Sequence, residues 1–154
     1  MKIAPLSNHM AFVDEIAQLH QTEWAHLSSL LTVEARKTAL KNAAGSEGIP
    51  SIYIAYKNNE FVGSAALIEH DLDTHLELGP WLAAVFVKEK WRGHGVATLL
   101  IGHCENEAKR IGVKTLYLST QFATQLYASL GWKTIERCQY MGVELDIMCK
   151  TLSS

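Results

Sequence analysis

The sequence predicts an α/β (α+β) sandwich with helices packed on a mixed sheet. Three observations carry that reading. Apolar residues recur at helical spacing in four segments, and alternate or run continuously in six strand-sized ones. Short turns join two pairs of the strand-like segments as hairpins. A helix-period segment separates the strand-like stretches at 81–87 and 116–118, and no internal repeat or linker divides the chain. At 154 residues, 48% hydrophobic and 19% charged, the chain fits one globular domain, 1–154, able to bury a core without staples.

In chain order, Met10–Ser29 carries Phe12, Val13, Ile16 and Leu19 at helical spacing, with Trp24 and Leu27 less regular. A second helix starts after Thr32, an N-cap residue, and ends before Gly45. The loop to Pro50 is followed by strands Ser51–Lys57 and Glu60–Glu69, which meet at Asn58-Asn59. A polar, acidic loop, His70–Gly79, precedes the apolar strand Trp81–Val87. Val96, Ala97, Leu100, Ile101, Cys104 and Ala108 then form one face of a helix that stops at Gly112. Strand 116–118, helix Phe122–Leu130 and a hairpin of Trp132–Gln139 with Val143–Lys150 complete the reading.

Charge and cysteine content narrow the function classes. Fourteen Lys+Arg against sixteen Asp+Glu leave a net charge of −2, without the basic stripe that nucleic-acid binding requires. No apolar run reaches the ~18–20 residues of a membrane span, and Met1–Pro5 lacks the apolar stretch of a secretory leader, so a cytoplasmic protein is expected. The three cysteines have no CxxC spacing and the seven histidines no HExxH pairing, so neither a disulfide framework nor a metal is expected.

The most informative stretch is Arg92-Gly93-His94-Gly95-Val96-Ala97, between the apolar strand and the amphipathic helix. A glycine turn before a helix N-terminus brings together unpaired amides and the positive end of the helix dipole, which together suit an anion. The spacing is neither GxGxxG nor GxxxxGK[ST], so dinucleotide and nucleoside-triphosphate sites are disfavoured. Taken alone, the turn reads equally well as a tight connection.

Context favours the anion site. Arg92-x-x-Gly95-x-Ala97, after Ala84-Val85-Phe86-Val87, resembles the pyrophosphate-binding motif of the GNAT superfamily of N-acyltransferases. Ala123-x-x-Leu126-Tyr127-x-x-x-Gly131-Trp132 is similar to that family's Ala-x-x-Leu-Tyr-x-x-x-Gly-Phe segment. The resemblance implies a mostly antiparallel sheet of about six to seven strands flanked by about four helices, with acetyl-CoA as co-substrate. It also implies that Val85 and Val87, with Phe86 between them, offer main-chain groups to the pantetheine arm. The amides of Arg92, Gly93, His94, Gly95, Val96, Ala97 and Thr98 would hold the pyrophosphate, and Tyr127 would protonate the departing thiolate. Thr120 stands where the family often has an arm-contacting Asn, with Gln121 beside it as a substitute.

An amine must lose a proton before it attacks a thioester. The acidic loop offers Glu69, Asp71, Asp73, His75 and Glu77, of which Glu77, at the entry to the apolar strand, is the expected base. No cysteine in the expected site has a histidine partner for a covalent route, so direct transfer in a ternary complex is expected. The acceptor is a primary amine of a small molecule or peptide, selected by the helices at 10–44; the acidic loop suits a cationic amine, and Trp24, Trp81 and Trp91 are candidates to line an apolar pocket. Exposed strand edges allow a homodimer. The competing readings are a catalytically degenerate acyl-CoA-binding sensor and a phosphate-ligand protein without CoA specificity.

Overall fold

The computed structural model describes residues 1–27, 30 and 32–152. Seven strands form one sheet: β1 (Lys2–Pro5), β2 (Ser51–Lys57), β3 (Glu60–Ile68), β4 (Trp81–Val87), β5 (Thr115–Thr120), β6 (Lys133–Tyr140) and β7 (Val143–Thr151). Their spatial order is β1-β2-β3-β4-β5-β7-β6, and every neighbour is antiparallel except β4 and β5. Four α-helices, α1 (Val13–Trp24), α2 (Val33–Ala43), α3 (Val96–Arg110) and α4 (Thr124–Ser129), flank it. Among the described residues, no helix is long and apolar enough to cross a membrane.

The central strands are apolar on both faces because both faces are covered. Ile52, Ile54, Phe61 and Ala66 pack with α1 and α2, in a core that includes Leu6, Ile16 and Leu40. Tyr53, Val62, Ala65 and Leu67 face the other way, toward Val96, Leu100, Ile101, Cys104 and Ala108 of α3. This is the helix face expected from the sequence. Each fully buried Leu, Ile or Phe contributes roughly 1.5–3 kcal/mol.

The structure corrects the expected elements in three places. Residues 2–5 form an edge strand that the sequence reading left unassigned. Four residues ending in Pro5 carry little strand signal, and the pairing with β2, Lys2↔Tyr56 to Pro5↔Tyr53, supplies what local pattern lacks. The long first helix is α only over Val13–Trp24, with 3₁₀ turns at Met10–Phe12 and Ala25–Leu27; Ser28 and Ser29, also assigned to it, lie outside the described residues. The helix expected from Phe122 begins instead at Thr124, because Thr120 Oγ1 accepts the Ala123 amide at 2.9 Å and holds residues 121–123 in a turn. Thr32 caps α2 as expected, its Oγ1 accepting the Ala35 amide at 3.0 Å.

Candidate active site

The single parallel contact in the sheet is also its weakest. β4 and β5 meet only at Trp81↔Tyr117, so beyond Trp81 the two strands diverge and β4 has no strand partner on that side. The divergence is sharpened by a bulge. Ser64 pairs with Phe86 and Ala66 with Ala83, which leaves Ala84 and Val85 opposite a single β3 residue, and Ala84 takes a left-handed φ of 53°. Gly63 tolerates the close approach of β4 here, since a Cβ on it would lie 2.7 Å from the Phe86 carbonyl oxygen.

The predicted cofactor residues fall into two groups. Val85 and Val87 face the α3 side, while the Phe86 ring turns to the α1 side against Trp24 and His20. At the end of β4 the glycine turn is exposed, with Gly93 and Gly95 both at φ 79° and no atom within 4 Å of a Cβ built on either. That is open space above backbone amides. The first-turn amides of α3, Val96 to Thr98, have no intrahelical carbonyl. Arg92 does not stand free over the turn: its Nε donates to the Val87 carbonyl at 2.9 Å. The His94 ring is hydrogen-bonded back to the carbonyls of Trp91 and Arg92. Backbone amides, open space and a split strand pair fit a phosphate-bearing, extended thioester cofactor.

The split opens into a cavity of about 520 Å³. Val85, Thr120 and Tyr127 line it; Phe86, Val87, Glu77 and the 92–98 turn do not. Tyr127 is buried, its hydroxyl has no hydrogen-bond partner among the described residues, and burial pushes its pKa up to about 12. Thr120 Oγ1 accepts from the Ala123 amide with one lone pair and keeps its hydroxyl proton to donate. The Gln121 Oε1 is tied to His26 Nε2 at 3.1 Å, a bridge from the end of the first helical segment to the β5–α4 loop.

Of the titratable residues of the acidic loop, the one that lines the cavity is Asp71. Its carboxylate accepts from Ser119 Oγ at 3.3 Å, and the protein packed around it raises its pKa, an effect opposed by that hydrogen bond. Asp71 is itself exposed, so solvent screening limits that rise, and what sets it apart is its place on the cavity lining and its Ser119 partner. Glu77 is exposed. The signal that separates Asp71 from its neighbours is its partner on β5, 48 residues away, which no local pattern carries.

Across the cavity stand residues the sequence had not singled out. His20, buried on α1, lies 2.9 Å from Ser64 Oγ, and Ser64 donates to the Ala84 carbonyl at 2.8 Å. Because the carbonyl can only accept, the Ser64 oxygen must accept from His20 Nε2–H, which fixes the tautomer. Burial first, and the nearby Arg36 charge second, lower the His20 pKa to about 3. Arg36 on α2 and Trp24 also line the cavity, whereas Trp81 is sealed in the core and Trp91 packs among Lys57, Lys90 and Glu60. Away from the cavity, His75, Glu136 and Cys138 bring potential metal-donor atoms within 4.8 Å of one another, a grouping no sequence spacing reveals.

The sequence matches the acetyltransferase (GNAT) domain family over residues 49–134. No curated protein sequence matches it significantly. Solved structures align along the full chain. An aminoglycoside 6'-N-acetyltransferase complexed with coenzyme A aligns with a TM-score of 0.80 at 17% identity, covering 100% of this chain and 98% of its own. An aminoglycoside 6'-acetyltransferase type Ii aligns at 0.77 and 20% identity, covering 100% and 99%. A ribosomal-protein-alanine N-acetyltransferase from Brucella melitensis aligns at 0.75 and 18% identity, covering 99% and 100%.

Proposed function

Because the chain belongs to the GNAT acetyltransferase family, we propose that it is an acetyl-CoA-dependent N-acetyltransferase acting on a primary amine by direct attack in a ternary complex. The observation that carries the reading is the continuity of the site. The open glycine turn, the unpaired edge of β4 and a cavity holding Tyr127 and Asp71 follow one another along the β4–β5 split.

Acetyl-CoA would supply an acetyl thioester, with the pyrophosphate on the amides of residues 92–98 and the arm along Val85 and Val87. Tyr127, at about 12, stays protonated at every working pH. It is a weaker acid than a thiol, which ordinarily titrates near ~8.5, so its part is to donate a hydrogen bond to the departing sulfur. Asp71 is the base in this reading: a carboxylate whose pKa is held above its ordinary value is more avid for the proton of the amine than a free one. Glu77 is the rival for that role, and substitution decides between them.

Thermal shift with acetyl-CoA, CoA and ADP tests the reading. At about a hundred times its dissociation constant, acetyl-CoA adds ~2.7 kcal/mol of stability. Gly95→Glu puts a side chain on a residue at φ 79° and a carboxylate where the phosphates would lie, so the variant loses that shift. Thiol release with an amine panel then separates an enzyme from an acyl-CoA-binding sensor, which would show the shift without release.

A further inference from the structure

Among the cavity residues, Arg36 has a chemistry that acetyl transfer leaves unused. It is 8% exposed, its Nε donates to Gln21 Oε1 at 3.0 Å, and its buried Nη2 has no partner among the described residues. A guanidinium stays protonated in proteins, and a buried cation without a counter-ion is unfavourable. A chain that keeps one on a cavity wall has a place for an anion. His20 beside it is neutral, so the wall carries one positive charge rather than two. Arg36 is the single Arg or Lys among the described residues lining the cavity, while Glu23 and Asp71 are the acids.

We propose that Arg36 docks a carboxylate carried by the acceptor, so that the substrate class is a primary amine that also bears a carboxylate, an amino-acid-like zwitterion. The proposal rests on the transfer reading above. One guanidinium matches one monoanion: Nε is already committed to Gln21, which leaves the Nη edge for a carboxylate fork. A phosphate dianion would bring two charges to one cation, and a polyamine would meet a like charge inside the cavity. A zwitterion places each charge against its opposite, the carboxylate at Arg36 and the amine toward Asp71, with Trp24, Leu40 and Ile52 lining the apolar surface.

Matched pairs test this: phenylalanine against phenethylamine, leucine against isopentylamine, and lysine against cadaverine, each scored by acetyl-CoA-dependent thiol release. A site that hydrogen-bonds a substrate group rejects the analogue lacking it by roughly 100-fold or more in kcat/KM. The wild type therefore favours the carboxylate-bearing member of at least one pair by that margin. In Arg36→Met the ratio within the pair collapses toward one, and Arg36→Lys, which keeps charge but not the fork, falls between. The melting temperature of Arg36→Met equals or exceeds that of the wild type, because an unpaired buried cation has gone; a purely structural arginine would lower it. Calorimetric titration of the CoA-loaded protein with the same amino acids gives a readout without turnover. If no amine is acetylated yet the amino acids bind and Arg36→Met abolishes binding, the transfer reading fails and the subsite stands. Equal wild-type rates within every pair, or an unchanged ratio in Arg36→Met, overturn the subsite.

Discussion

One side of the cavity is made of backbone and the other of side chains. β4, and past it the turn ahead of α3 that lies outside the cavity lining, offer amides, carbonyls and glycine-sized space, while the other side presents the ends of His20, Trp24 and Arg36 from α1 and α2. Backbone chemistry is the same in every chain that adopts the split, so the first side suits a ligand common to many proteins. Side chains vary freely on a fixed scaffold, so the second side is where one acceptor is told from another. A hydrogen-bond relay couples the sides: His20 donates to Ser64, and Ser64 donates to the carbonyl of the bulged Ala84.

The sharpest way to break this contrast is pH. The folded chain holds His20 neutral down to about pH 3, while the unfolded chain takes up that proton near ~6.5. Acid therefore favours the unfolded chain. The stability His20 contributes is complete above ~6.5 and is lost at about 1.4 kcal/mol per pH unit, reaching about 5 kcal/mol near pH 3. His20→Gln still offers Ser64 a donor but cannot titrate. Between pH 6.5 and 4.5, urea unfolding of the wild type should lose about 2 kcal/mol more than the variant. Parallel curves would mean that the α1 side is wet and that His20 is not sealed behind it.

The same division explains what was legible in the sequence. The strand–glycine turn–helix run at 84–97 and the Ala123–Trp132 segment are contiguous, and the family match, 49–134, covers both and begins after α2. His20 and Arg36 are ordinary helix residues by sequence; their meaning comes from partners such as Ser64, 44 residues away. Asp71 and Glu77 share one acidic loop and one charge, so composition could not rank them. Only the fold shows which of the two reaches the cavity. β1 was missed for the same reason, since its evidence is β2 rather than its own four residues.

Between the two sides lie the groups proposed to serve the transfer step, Tyr127 as hydrogen-bond donor and Asp71 as base, where the expected effects are next in size. Tyr127→Phe keeps the ring in its place against Trp132 and removes only the hydroxyl, so kcat falls about 100-fold with the acetyl-CoA thermal shift intact. Asp71→Asn removes the base. In the wild type, kcat/KM rises with pH through a carboxyl pKa above the ordinary range, because Asp71 must be ionised to accept a proton; the variant lacks that limb. Glu77→Gln retains it. The reverse pattern would assign the base to Glu77.

The smallest effect probes the joint between the sides. Ala84 sits at φ 53° in mid-strand, a left-handed conformation that costs an alanine roughly 1–2 kcal/mol. Ser64 and His20 hold it there through its carbonyl. Ala84→Gly relieves the backbone strain but gives up about 0.5–1 kcal/mol in chain entropy, together with a methyl that packs in the α1 core. The terms nearly cancel, and denaturant titration should find a change within about 0.5 kcal/mol. Ser64→Ala has no such compensation. It leaves the His20 Nε2–H and the Ala84 carbonyl without their shared partner, at a cost of about 1–3 kcal/mol. If Ala84→Gly proves as damaging as Ser64→Ala, the methyl and not the relay holds the bulge, and the two sides of the cavity are independent.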